Sequence, residues 1–594
     1  MNRALRPLMI GLLAVAIAIV PLLSSGFIIT LLNYIGIYTL ITLGLVLLTG
    51  CGGITSFGQA AFVGIGAYAT AYLSTAVGLS PWIGLLVGIA LTSLIALVLG
   101  FITLHLGGHY LPLTTIAWGM AIYLSFGNFQ FLGSHGGIGD IPALSLFGFV
   151  FDDMNELYYV IWILAGTSLI AAGNLLRSRQ GRAIRALRGG RGMSESLGID
   201  VFWVRLSVFV LAAALAGIAG WLYAHMTRFV SPAPFDLKAG IEYLLMAVLG
   251  GAGTISGALV GAAAVALAKN WLQDVLPHVP YLKENSANLE IVVFGCLFIL
   301  LLHKSRSGIV PLVRQYLPFN LDAPRTHVPT DAALPRNASP ERGSTLLKIE
   351  GLTKRFGGLV AVDNVGFEVK AGSITALIGP NGAGKSTTFN LITGALQATS
   401  GKVIFAGREL SGVKPHEVVS LGMARTFQHV RLRPTMTLLE NVMLGCYRRT
   451  RSGFIAGALK LDGAEERAVY SEAMRELQRV GLADKANELA GNLPLGQQRV
   501  LEVARALASA PLLIMLDEPA AGLRSMEKKA LADLLRSLRA EGMTILLVEH
   551  DMDFVMSLAD RVVVLDFGKK LAEGVPSDIQ SNPAVQEAYL GSVE

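Results

Sequence analysis

Roughly the first 300 residues are dominated by long apolar runs, most of them near the ~20 residues that an α-helix needs to cross a bilayer. The runs lie near 8–23, 27–48, 57–76, 82–104, 110–127, 157–176, 204–225, 241–250, 253–272 and 287–303. Lipid offers no partner to a backbone N–H or C=O, so segments of this kind must satisfy their hydrogen bonds internally, as helices. The expected fold of this part is a polytopic α-helical membrane domain of about ten spans. Composition agrees: 53% of the 594 residues are hydrophobic and 15% are charged, against about 25% charged in a typical soluble domain. The net charge of +6 is small for this length and gives no nucleic-acid footprint. In a membrane chain a basic excess reads as the positive-inside signature.

Charge and parity organise the spans. Arg3 and Arg6 before Leu8–Leu23 resemble the start of a signal peptide, but no clear small-x-small cleavage site follows and a second apolar run begins at Phe27. The segment therefore reads as the first span. Arg177, Arg179, Arg182, Arg185, Arg188 and Arg191 form a basic stretch that belongs with the N-terminus in the cytoplasm. Six crossings satisfy both placements and put 128–156 outside, where Asp140, Asp152, Asp153 and Glu156 occur without Lys or Arg. The run 241–250 would rise only ~15 Å as a helix, too short for a ~30 Å core. It reads as a tilted, extended or broken helix buried in protein, separated from the next run at Gly250-Gly251-Ala252-Gly253. Ser56, Gln59, Ala60, Gly64 and Gly66 admit two readings: close helix packing through small residues, or a broken, path-lining helix with polar groups at membrane depth. Cys51, Cys296 and Cys446 have neither metal-ligand spacing nor a disulfide framework and read as free thiols.

Residues 316–345 contain Pro318, Pro324, Pro329, Pro335 and Pro340 with little apolar periodicity, the composition of a tether that does not fold alone. The expected organisation is thus 1–315 membrane domain, 316–345 linker and 346–594 soluble domain.

The soluble domain carries the chemistry. The apolar strand Ser373–Ile378 runs into Gly379, Pro380, Asn381, Gly382, Ala383, Gly384, Lys385, Ser386 and Thr387, a full phosphate-binding loop. Its glycines let backbone N–H groups turn toward phosphate oxygens. Lys385 is placed for the β- and γ-phosphates of ATP, and the Ser386 hydroxyl for Mg²⁺. A second apolar strand, Leu512–Leu516, ends in Asp517 and Glu518. Asp517 is expected to hold Mg²⁺ and Glu518 to act as general base toward water. A third, Thr544–Val548, ends at Glu549 and His550, with His550 expected to sense the γ-phosphate.

These motifs stand in the order found in ABC ATPases, and 346–594 resembles that family, which implies an α/β P-loop domain with a helical subdomain and ATP hydrolase activity. Gln428, after Thr426 and Phe427, looks like the Q-loop glutamine, a catalytic and metal-side residue. Leu493, Gly496 and Gln497 look like the ABC signature, just before an expected helix Val500–Leu507. Phe356 resembles the aromatic residue that stacks on adenine. The family implies that two ATPase domains sandwich two ATP molecules, each signature serving the partner's nucleotide. Two positions depart from the pattern: Pro494 replaces the usual signature Ser, and Arg524 replaces the usual D-loop Asp or Asn.

A narrower resemblance spans nearly the whole chain except the linker. Ser56–Tyr68, Gly181–Leu187 with Ser194–Asp200, Glu242–Thr254, Glu518–Leu523 and Glu587–Gly591 are similar to the Liv-type branched-chain amino acid importers. A LivM-like permease and a LivG-like ATP-binding subunit would be joined in one polypeptide. The resemblance implies a cytoplasmic coupling loop containing Arg182, Glu195 and Gly198. It also implies a second permease, a second ATPase and an extracytoplasmic binding protein as partners, in a prokaryotic inner membrane. An ABC exporter, or an importer of amides or small carboxylates, remains an alternative at this point.

Overall fold

The computed structural model describes residues 18–24, 26–106, 110–275, 308–316 and 333–590, with a few isolated positions near 300. The runs 8–23 (up to residue 17) and 287–303 (for the most part), and linker positions 317–332, lie outside the described residues. Two compact units form, Met1–Leu176 with Phe202–Ala323, and Arg177–Val201 with Pro324–Glu594. The basic stretch therefore belongs, by its contacts, with the ATPase residues.

In the first unit, five helices among the described residues are long and apolar enough to cross a membrane: Gly26–Cys51, Pro81–Thr103, Met154–Leu176, Val201–Thr227 and Ile255–Val275. The shorter helices Gln59–Thr75, Tyr110–Asn128 and Leu237–Gly251 pack among them. The first of the five ends in a π-helical turn, Val46–Cys51, followed by non-helical residues up to Gly58. Glycine contacts set the helix spacing. A Cβ on Gly220 would lie 2.0 Å from the Val63 carbonyl oxygen, and one on Gly66 2.4 Å from that of Gly217. These two helices touch backbone to backbone, as small residues allow in membranes. Ser56 and Gln59 are fully buried.

The run 241–250 belongs to the 15-residue helix Leu237–Gly251, opened by the Asp236 carboxylate, which accepts from the Ala239 N–H at 2.8 Å. At ~22 Å it still falls short of a bilayer core. Its end is enclosed by protein: a Cβ on Gly50 would collide with the Ala252 carbonyl. The segment 128–156 forms a small hairpin, Leu144–Leu146 with Phe149–Phe151. Trp82 Nε1 donates to the Ser145 carbonyl, and Ile138 bridges to Val230.

The second unit is built on two sheets. Six strands run in the order Lys569–Gly574, Arg561–Asp566, Ile374–Ile378, Thr544–Val548, Leu513–Asp517, Met423–Arg425. All neighbours are parallel except the first pair. A four-stranded antiparallel sheet, Leu359–Lys370, Thr345–Phe356, Ser400–Phe405 and Arg408–Glu409, encloses a core with it that includes Phe367, Phe389, Phe405 and Leu546. The opposite face of the parallel sheet is covered by helices that contribute Val503, Leu535 and Phe554. A helical subdomain with its own core comprises Leu438–Gly445, Gly463–Arg479 and part of Leu495–Leu507.

Two expectations change. The signature helix begins at Leu495 rather than Val500, so Gly496 and Gln497 lie in its first turn. The end of the proline-rich linker is not a free tether: Leu334 is buried in the helical core. Arg449 donates to the carbonyls of Leu334 and Pro335, and Arg336 pairs with Glu472.

Candidate nucleotide site and its coupling contacts

Strand register assembles the site. Val548 stands beside Leu377 on one side and Asp517 on the other, so the three parallel strands end level. Their carboxyl ends deliver Gly379, Glu518 and Glu549 to one edge, where ligands of open α/β sheets bind. Gly384, at φ +92°, caps the helix Lys385–Ile392, and a Cβ there would sit 2.5 Å from the Ala361 carbonyl oxygen. Only glycine fits that turn. Lys385 is buried, and its ammonium donates to the carbonyls of Gly379 and Pro380 at 2.7 and 2.9 Å. Burial lowers its pKa, partly opposed by the Glu518 charge. Asn381, Gly382 and Ser386 are exposed on the loop, Pro380 and Thr387 are half-buried, and Ala383 is buried beneath.

Glu518 adopts φ +45°, an unfavourable conformation for a side chain with a Cβ, with its N–H held by the Val548 carbonyl at 2.9 Å. Gln428 Nε2 donates to Glu518 Oε2 at 3.0 Å, and His550 Nδ1 lies 3.7 Å from the same oxygen. The structure thus brings together three residues separated widely in sequence. Asp517 is buried, which raises its pKa; Glu518 adds to the rise and Arg425 opposes it. Phe356 projects at the end of its strand, 46% exposed, with Lys354 Nζ 5.1 Å above the ring.

The signature residues lie on the helical subdomain. Leu493 is buried. A Cβ on Gly496 would meet Glu527 Oε1 at 2.6 Å, and Gln497 Oε1 accepts from Lys485 Nζ at 3.0 Å. Pro494 occupies the cap of the helix Leu495–Leu507 and supplies no side-chain acceptor, where a hydroxyl would satisfy an orphan N–H. Arg524 also precedes a helix; there the Glu527 carboxylate accepts from the Arg524 N–H at 2.9 Å.

Several residues that the motifs did not single out hold the site in shape. Arg499 donates to the carbonyls of Phe427 and Gln428. Glu502 accepts from the Arg431 N–H at 2.9 Å, and Arg505 donates to the Arg431 carbonyl at 2.7 Å. One helix face, three residues per step, therefore grips the Q-loop. Glu549, fully buried, accepts from the N–H groups of Ala520 and His550 and ties two loops together. Arg425 lies between the rings of Phe389 and Phe427, 4.9 Å from each, and burial brings its pKa down to about 10.

The basic stretch docks on the same unit. Arg182 forms a bidentate pair with Glu466 at 2.6 and 2.9 Å, with both side chains buried. Arg185 reaches Glu440 at 2.9 Å. Arg179 stacks 3.9 Å over the Tyr447 ring and donates to the carbonyls of Tyr447 and Ser452. Gly198, at φ +78°, admits Arg448, whose Cγ would lie 2.0 Å from a Cβ there. Glu195 pairs locally with Arg191 at 2.6 Å. Gly192 abuts the Q-loop: a Cβ there would lie 3.5 Å from Arg431 Nη1 and 3.9 Å from Phe427.

Comparison with known proteins identifies both parts of the chain, and the permease match runs through the basic stretch that packs with the cassette. Residues 27–302 match the family model of the branched-chain amino acid transport system permease component. Residues 362–521 match that of the ABC transporter and 569–594 that of the branched-chain amino acid ATP-binding cassette transporter. The high-affinity branched-chain amino acid transport ATP-binding protein BraF of Pseudomonas aeruginosa is 45% identical over 249 residues, covering 41% of this chain and 98% of the relative. Its counterpart LivG of Escherichia coli is 45% identical over 251 residues, with the same coverage. A solved ABC transporter cassette in its ADP conformation is 33% identical, covers 42% of this chain and 100% of its own, and superposes with a TM-score of 0.38. The chain is a membrane protein whose cassette binds ATP and couples its hydrolysis to transport. It belongs to the branched-chain amino acid ATP-binding cassette transporter family, with the permease component and the cassette in one polypeptide.

Proposed function

We propose that this chain is the permease and ATP-binding component of an importer that takes up branched-chain amino acids delivered by an extracytoplasmic binding protein. It sits in a prokaryotic inner membrane, with 177–203 and 304–594 cytoplasmic and 128–156 outside. The observation that carries the coupling is the buried Arg182–Glu466 pair, which fixes the loop between two membrane helices onto the cassette.

In the cassette, Gly379–Thr387 cradle the phosphates, Lys385 swings from its loop carbonyls to the β/γ-phosphates, and Phe356 stacks on adenine. Ser386, Asp517 and Gln428 offer hydroxyl, carboxylate and amide oxygens, a hard donor set that suits Mg²⁺. Bound there, Mg²⁺ neutralises phosphate charge. Glu518 accepts a proton from water as its oxygen attacks the γ-phosphorus; the bond to the β-phosphate oxygen breaks and ADP leaves. Gln428 orients Glu518, and His550 faces the γ-phosphate. Leu493, Gly496 and Gln497 serve the nucleotide of a second cassette.

That second cassette differs from this one. Pro494 lacks the hydroxyl that a signature Ser offers to γ-phosphate, so two identical chains would make two weakened sites. A partner with a fuller signature would complete the site built on Lys385 and Glu518, alongside a second permease. The test is reconstitution in proteoliposomes with the binding protein. Leucine-stimulated hydrolysis and uptake by the heteromeric assembly, with slow hydrolysis by the chain alone, are expected. Full transport by the chain alone overturns the heteromer. An assembly that ignores branched-chain amino acids overturns the substrate.

A further inference from the structure

The permease unit contains a cavity of about 600 Å³, within the usual range for small-molecule sites. It lies at the hairpin end of the unit, because the lining stretch Ala233–Ala239 directly follows Val230, the residue bridged to Ile138. Its wall carries an ion pair: Lys269 Nζ is 3.2 Å from both carboxylate oxygens of Glu242, on the paired helices Ile255–Val275 and Leu237–Gly251. Charged groups within membrane helices are costly and mark solute or ion paths. This pair is only partly shielded, with Lys269 39% and Glu242 22% exposed.

The rest of the lining narrows the ligand. Its charged residues are Asp236 and Glu242 against Lys238 and Lys269, two acids and two bases, so it favours neither an anion nor a cation. Tyr34, Tyr38 and Tyr243 form a tyrosine file, with ring centroids 5.9 and 5.8 Å apart along it. Phe27 and Leu31 provide an accessible apolar wall, backed by the buried Ile37, Ile41 and Val63.

We propose that this cavity is a solute subsite for a zwitterionic α-amino acid with an aliphatic side chain. Lys269 takes the carboxylate, Glu242 the ammonium, and the Phe27–Leu31 wall the side chain. The opened ion pair is replaced by two new ones, so no charge is left unpaired on binding. The inference rests on the importer reading and deepens it.

The test uses the full assembly in proteoliposomes with its binding protein and labelled L-leucine. Lys269→Gln and Glu242→Gln should each lower uptake about tenfold or more, the worth of one charged hydrogen bond, while solute-independent ATP hydrolysis stays unchanged. The swapped pair Glu242→Lys with Lys269→Glu should not recover uptake, because the apolar wall fixes the orientation of the solute. Recovery by the swap, or normal uptake in the single variants, makes the pair a strut between helices and overturns the proposal. A second readout does not depend on these substitutions. Tyr38→Cys should react with a small methanethiosulfonate, and delivered leucine should slow the reaction. Labelling at an unchanged rate, or solute-independent cross-linking of that cysteine to a partner permease, overturns the proposal. Wild-type assembly that fails to take up leucine at all counts against the importer reading instead.

Discussion

The permease unit and the cassette unit are held together by different means. Around Gly220 and Gly66 the permease helices meet backbone to backbone, with no room for a methyl group. The cassette is tied by charge: Arg182 to Glu466, Arg449 to Glu472, and Arg499, Glu502 and Arg505 to the Q-loop. The solvent explains the difference. Lipid gives no hydrophobic drive between helices, so close van der Waals approach must supply the attraction. In the cassette, apolar burial supplies the stability, and buried ion pairs fix which loop sits where. Shape is the sensitive variable in one unit and hydrogen-bond complementarity in the other.

The largest effect belongs to a change of almost no volume. Glu518→Gln, introduced in both cassettes, should retain nucleotide binding and reduce hydrolysis ~10²–10⁴-fold, the usual worth of a general base. Filter binding and phosphate release check this, and persistent turnover would remove Glu518 from the role. Next, Arg182→Ala leaves Glu466 buried without its partner, a loss of about 3–5 kcal/mol. Uptake should collapse while basal hydrolysis persists, and Arg182→Met with Glu466→Leu should recover thermal stability without recovering uptake. A double variant that transports normally would reduce the pair to packing. In the permease, Gly220→Val should cost ~1–3 kcal/mol or more through overpacking, read as lost thermal stability in detergent. A tolerated valine there would break the shape side of the comparison.

Two smaller effects sharpen it. Burial alone would raise the pKa of Glu440, but the charge and hydrogen bond of Arg185, the Thr437 N–H and the charge of Arg182 together outweigh it and the pKa is lowered. A carboxylate with a depressed folded-state pKa stabilises above its ordinary value and loses that contribution as pH falls. The stability gap between wild type and Glu440→Gln should therefore be full at neutral pH and close below the ordinary carboxylate value of 4.5. A gap that widens in acid would reverse the assignment. The smallest effect is expected at Gln59, which is fully buried with no protein partner for either amide atom. Gln59→Leu keeps the volume and removes a buried amide that makes no protein bond, so melting should hold or rise slightly. A marked loss would show that polar groups matter in the permease as they do in the cassette.

What the sequence revealed follows the same divide. The phosphate loop and the Asp517–Glu518 strand end were legible because each is one short contiguous stretch whose backbone geometry needs particular residues. The shortness of the Leu237–Gly251 segment was legible from its glycines. The meeting of Gln428, Glu518 and His550 depends on strand register, and only motif order pointed to it. Arg425, Arg499 and Glu549 adjoin the Q-loop, signature and His550 motifs, and Glu466 sits on an ordinary helix, but each acts across space on residues far away in sequence. The packing of the linker end escapes the sequence for a related reason. Its composition describes the chain alone, whereas Leu334 is ordered by a surface made from residues more than a hundred positions later.

The cassette unit is assembled from two separated stretches, 177–201 and 324–594, and this has a consequence for biogenesis. During synthesis the first stretch leaves the ribosome before the helices Val201–Thr227 and Ile255–Val275 are inserted. The residues that will bury Arg182, including Glu466, are made only later. Domains on a growing chain fold largely in order of emergence, so the first stretch emerges well before its docking surface. Its density of arginines suits that interval, because a charged stretch stays hydrated until a docking surface exists. A chain that ends within the cassette before Glu466 would carry the basic stretch without the carboxylate that pairs with Arg182.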